Sequence, residues 1–193
     1  MKLINTERRK LINAILLFAK NLRHPTKVNI FKMLYFSDFE HFKKTGRSIT
    51  GLEYFAWEYG PVPRELYYEM KDDRPPDDMK EYFNTFVEVD EIDDSIKKVL
   101  FKAKIRPNMK VFSEREKEIL EQKLFIYKDV LPSEASKITH TEKEDPLWIK
   151  TIRTKGMNEK IDYLLALEKD ASIDQETAEE RMKFNTEMGE LFG

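Results

Sequence analysis

The chain has 193 residues, of which 40% are hydrophobic and 36% charged, with a formal net charge of −2. Thirteen Phe, eight Tyr and two Trp residues are enough for a packed core, which excludes a chain disordered throughout. The absence of cysteine excludes disulfides, thiolate metal sites and a cysteine nucleophile, and it suits a reducing cytoplasm.

The first helix is expected to begin at Asn5 or Thr6, with Glu7 favourable in its first turn. Leu11, Ile15, Phe18 and Leu22 follow at helical spacing and Pro25 ends the element. The apolar run Ile15 to Ala19 is far short of the ~20 residues of a bilayer span. Met1 to Arg9 does not lead into a signal-peptide core. The expectation is a cytoplasmic protein with no membrane partner.

A second helix is predicted from Thr26 to Thr45, stopped by Gly46. Its Phe31, Leu34, Tyr35, Phe39 and Phe42 make it the candidate central core helix. Arg47 to Tyr59 is β-branched and aromatic without helical period, and reads as a short extended segment. Gly60-Pro61-Val62-Pro63 reads as a stiff extended corner, because a residue before proline is pushed out of the α region. Pro63 then suits the first turn of a helix carrying Leu66, Tyr67 and Met70, which breaks before Arg74-Pro75-Pro76.

After a brief helix around Asp78 to Phe83, Phe86 to Ile92 and Ile96 to Ile105 read as arms of a hairpin with Asp93-Asp94-Ser95 at its tip. Val99, Phe101, Ala103 and Ile105 would share one apolar face. Lys71 to Asp94 holds ten acidic and three basic residues, whereas Lys97 to Lys110 holds six basic and no acidic ones. Cross-strand pairing is the expected use of these blocks, so no specific nucleic-acid partner is expected.

Ser113-Glu114-Arg115-Glu116 is a capping box that opens a helix through Ile119, Leu120, Leu124 and Tyr127. Ser133 is expected to cap a short helix reaching His140. Asn158 is expected to cap another carrying Ile161, Leu164 and Leu165. The segment from Asp174 is charged but carries Ala178, Met182, Phe184 and Met188. The fold class expected is mainly α (α+β): a compact helical domain with a small β-hairpin or strand element. Residues 1–170 form the domain and 171–193 a charged amphipathic tail.

No phosphate-binding glycine motif, no H-E-x-x-H and no G-x-S-x-G occurs in the sequence. His24, His41 and His140 do not fall in a metal-ligand spacing. The acids from Asp90 to Asp94 lack the glycine of a calcium loop. A nuclease built on Asp77, Glu121 and Lys123 would need a strand where a helix is predicted. No catalytic residue, metal site or cofactor is expected, which makes a binding protein the leading class.

Leu34-Tyr35-Phe36-Ser37-Asp38, Thr45-Gly46 and the block Ile49 to Val62 occur in order. Within that block are Thr50-Gly51, Tyr54, Trp57 and Gly60-Pro61-Val62. Together they resemble the Panacea domain of SocA-like antitoxins, a family also represented by phage-associated proteins. Thr139-His140 followed by Pro146-Leu147-Trp148 resembles the family's second signature. The likeness spans roughly Leu11 to Leu165.

This resemblance implies an antitoxin that neutralises a cognate protein toxin by forming a complex, one domain type serving chemically unrelated toxins. Some relatives carry an amino-terminal DNA-binding domain, for which a first helix within six residues of Met1 is expected to leave no room. Others are adaptors that present the toxin to a protease, which is the alternative function here. A hydrolase pairing Asp38 with His140 is the enzymatic rival. The motif residues are expected to serve the scaffold or binding. The candidate partner anchors are Tyr59, Tyr67 and Tyr68 at the Gly-Pro corner, Phe101 on the hairpin, and Met182 and Met188 on the tail.

Overall fold

The computed structural model describes residues 6–89, 97–131, 146–168 and 170–192. The hairpin tip at Asp93-Asp94-Ser95, the helix expected from Ser133, and His140 lie outside the described residues. The architecture is mainly α with two small two-stranded antiparallel sheets.

Helix α2, Lys27–Thr45, is the axis of the core and packs against α1, Thr6–Asn21, and α4, Glu114–Tyr127. Its bounds follow from local chemistry. The Thr26 hydroxyl accepts the Asn29 amide at 3.3 Å at one end. At the other, Gly46 adopts φ 68° and donates its amide to the Phe42 carbonyl at 2.7 Å. A left-handed residue without a Cβ closes the helix there at no steric cost. Ile30, Leu34 and Tyr35 on α2, and Ile15, Leu16 and Phe18 on α1, are almost wholly buried. Each such side chain stabilises the fold by about 1.5–3 kcal/mol.

Strand β1, Tyr54–Trp57, pairs with β2, Gly60–Pro63, in the register Tyr54↔Pro63 to Trp57↔Gly60. The Gly-Pro segment expected as a corner is therefore the second arm of a hairpin. The extended backbone that proline imposes on its predecessor suits a strand, and prolines are tolerated at a sheet edge. Pro63 sits at the N-cap of α3, Arg64–Glu69. Residues expected as a helix before Phe83 instead form successive turns, closed by Met79 N–H to the Pro76 carbonyl and Tyr82 N–H to that of Met79.

Strand β3, Phe83–Val89, and β4, Lys97–Ala103, form the second hairpin, with Thr85 opposite Phe101 and Glu88 opposite Lys98. Phe83 stacks on Phe101 at 5.1 Å. Ile105 lies beyond the strand and is exposed.

The capping box at α4 forms in both directions: Ser113 N–H donates to Glu116 Oε2 at 2.8 Å, and Glu116 N–H to Ser113 Oγ at 3.3 Å. Helix α5, Pro146–Thr154, begins at the segment expected only as a signature. Asn158 does not cap a helix. Its φ is 65°, and its amide donates to the Ala56 carbonyl at 2.8 Å. Ala56 N–H to the Glu159 carbonyl and Ile161 N–H to that of Tyr54 continue the pairing along the free side of β1. Residues Tyr163–Glu168 form a 3-10 helix instead of the expected α-helix.

Helix α6, Gln175–Phe192, docks through the fully buried Ala178 and an Arg181 guanidinium donating to the Thr45 carbonyl at 2.7 Å. A side chain at Gly46 would meet Ala178 Cα at 3.2 Å, so that glycine also admits the tail helix.

Candidate functional site

The motif residues Asp38, Thr50 and Tyr54 form an inner node, and the motif Trp57 joins the candidate anchors Tyr59, Tyr67 and Tyr68 in an outer aromatic face. At the node, Asp38 projects from α2 into the chain that follows it and is fully buried. The Ile49 and Thr50 amides donate to Oδ1 at 2.8 and 2.9 Å. The Thr50 and Tyr54 hydroxyls donate to Oδ2, the latter at 2.7 Å. Four donors thus hold one carboxylate and fasten the loop before β1 to the central helix. Gly51 makes the turn at φ 74°, its amide donating to Ser48 Oγ at 3.1 Å. Around the node, Tyr35, Phe39 and Tyr54 pack edge to face or tilted, and Tyr163 stacks on Phe39 at 4.2 Å.

Burial pushes the Asp38 carboxyl up from 3.8 to about 6, against the lowering effect of the Thr50, Tyr54 and Ile49 hydrogen bonds. The folded chain therefore binds this proton more tightly than the unfolded one. The resulting stabilisation is complete below about pH 4 and is lost as pH rises through about 6. Relative to an Asp38→Asn variant, the native protein should lose about 3 kcal/mol of stability between about pH 4 and pH 7. Urea unfolding of both proteins at the two pH values checks this. His41, which burial pushes below its ordinary value, titrates in both proteins and cancels in the difference.

The outer face is carried by the same hairpin. Trp57 is half-buried, its carbonyl accepting Trp148 Nε1 at 3.0 Å. Tyr67 and Tyr68 on α3 stand edge to face with the Trp57 ring, at 4.8 and 6.3 Å between centroids. Tyr59 at the hairpin turn is 69% exposed and Tyr68 58%. Lys27 Nζ lies 4.4 Å over the Tyr67 ring and 2.7 Å from Asp73 Oδ1. Trp57, Tyr59 and Tyr67 line one wall of a groove of about 610 Å³, with Lys97 and Lys98 of β4 also lining it.

Leu34, Tyr35, Asp38, Thr50, Tyr54, Gly60, Pro61 and Trp148 are buried, Phe36, Trp57 and Val62 half-buried, and Gly51 exposed. The structure brings Asp38, Thr50 and Tyr54 into contact and gathers Trp57, Tyr59, Tyr67 and Tyr68 outside them. Phe101, expected at a partner surface, is instead core at 2% exposure. An aromatic on the apolar face of β4 is covered by Phe83, whose strand starts earlier than its sequence suggested. Met182 is half-buried and Met188 exposed on α6, away from the aromatic groove's lining. Tyr163 went unrecognised as a node residue, although its hydroxyl also donates to the Leu52 carbonyl at 2.8 Å. No local pattern marks it, because its contacts come from distant parts of the chain.

Among the described residues no group of three or more His, Cys, Asp or Glu side chains could hold a metal ion, and no helix is long and apolar enough to cross a membrane. No curated protein and no solved structure matches the chain. Residues 30–148, which contain Asp38, Thr50 and Tyr54, the aromatic face and both hairpins, match the model of the antitoxin SocA-like, Panacea domain. The chain therefore belongs to the SocA-like antitoxin family of Panacea-domain proteins.

Proposed function

We propose that this protein neutralises a cognate protein toxin by direct, stoichiometric binding, with the Trp57, Tyr59, Tyr67 and Tyr68 face as its anchor. The family supports an antitoxin role. The observation that carries the binding reading is a surface aromatic cluster: Asp38 and Tyr54 are closed inside the scaffold, whereas the exposed Tyr59, Tyr67 and Tyr68 gather around the half-buried Trp57 on the first hairpin and α3. Binding energy in protein interfaces concentrates in Trp, Tyr and Arg side chains, and a pre-organised patch loses little entropy on docking.

A titration of the purified protein against the activity of its toxin tests this. Protection should rise linearly and saturate near equivalence. Inactivation of a large molar excess of toxin, leaving the toxin chemically altered, would replace the binder with a catalyst.

A further inference from the structure

A second groove, of about 830 Å³, runs between the end of α1 and the outer side of β4. It is lined by five cationic side chains, Lys20, Arg23, Lys102, Lys104 and Arg106, and by one carboxylate, Glu88. All five are exposed. Among the described residues none of them pairs with a carboxylate.

The reason lies in how the acidic block is used. Glu88 faces Lys98 across the hairpin, but Lys102 faces Asn84, and Lys104 and Arg106 lie beyond the paired strand. Upstream, Asp73 pairs with Lys27, Asp77 with Lys80, and Asp78 with Arg8. Among the described residues, the neutralisation expected across the hairpin is thus seen only where Glu88 faces Lys98.

Between these charges the groove is apolar, with Phe86 49% and Ile105 47% exposed. Lys102 Nζ lies 5.8 Å from the Phe86 ring centroid. We infer that this groove binds an acidic protein segment in which carboxylates alternate with apolar side chains. Charge complementarity selects the acid, and the exposed Phe86 and Ile105 select apolar neighbours over a phosphate backbone. A long nucleic-acid strand leaving the groove would also meet a chain of net charge −2, with Asp72, Asp77 and Glu81 exposed on the segment leading into β3. The groove shares no lining residue with the aromatic one, and the inference does not depend on the antitoxin reading.

The test is fluorescence anisotropy of the full chain with a labelled short peptide of alternating Glu and Leu. The same peptide with Lys for Glu and a single-stranded oligonucleotide of similar length serve as competing probes. Saturable binding of the acidic peptide is expected, weakened about tenfold from about 50 to about 300 mM KCl. The double variant Lys102→Glu/Arg106→Glu should lose at least about tenfold more, and Lys102→Gln/Arg106→Gln an intermediate amount. Lys183→Glu, on the exposed face of α6, should bind as the native protein does. No binding, binding indifferent to both double variants, or tighter binding of the oligonucleotide would overturn the inference. So would sedimentation showing that the groove joins two copies of this chain, with the charge-reversed variant a monomer.

Discussion

Asp38→Ala should lower the melting temperature by about 10–20 °C and make the thermal transition less cooperative. The substitution leaves two amides and two hydroxyls in a closed interior without an acceptor. Each orphaned donor costs roughly 1–3 kcal/mol. Relief of the desolvated charge, whose burial pushes the Asp38 carboxyl up, offsets part of this at neutral pH. The donors outweigh this, leaving a net loss of about 5 kcal/mol, a large part of the ~5–15 kcal/mol that holds a domain together. For a chain of this length, each kcal/mol moves the midpoint by about 2–4 °C. A circular-dichroism melt that shifts by less than about 3 °C would show that the loop before β1 does not need this anchor.

Replacing Tyr59 and Tyr68 together by alanine should do the reverse, sparing the fold and disabling the complex. Both rings are mostly exposed, so the melting temperature should move by no more than about 2 °C. If they are interface anchors, the Kd for the toxin should rise about a hundredfold, equivalent to about 2.7 kcal/mol. Calorimetric titration of native and double-variant proteins against the same toxin decides it. An unchanged Kd would move the interface off this face and leave the aromatics as scaffold trim.

The contrast between these two experiments follows from what the sequence made legible. Helix α2 was readable at both ends because a Thr hydroxyl and a left-handed Gly act within one turn of the backbone they cap. The Ser113–Glu116 box is local in the same way. The node was only half readable: Asp38, Thr50 and Tyr54 stand out as motif members, but nothing in their spacing says that four donors converge on one carboxylate. Asn158 shows the opposite failure. Its cap signal was sound in isolation and lost to backbone pairing with Ala56, a partner about a hundred residues away. Phe101 misled in a third manner, since an apolar alternation shows which residues share a face but not what covers that face.

Burial along the first hairpin also sorts its residues by what they can tolerate. Tyr54, Phe55 and Ala56 are buried, and Trp57, Glu58 and Tyr59 emerge as the strand turns. Changes to the buried set are judged by the interior. Changes at Glu58 and Tyr59 fall on exposed positions. The hairpin therefore offers a protein engineer a short rewritable address on a fixed mount, where recognition can be respecified without renegotiating the fold.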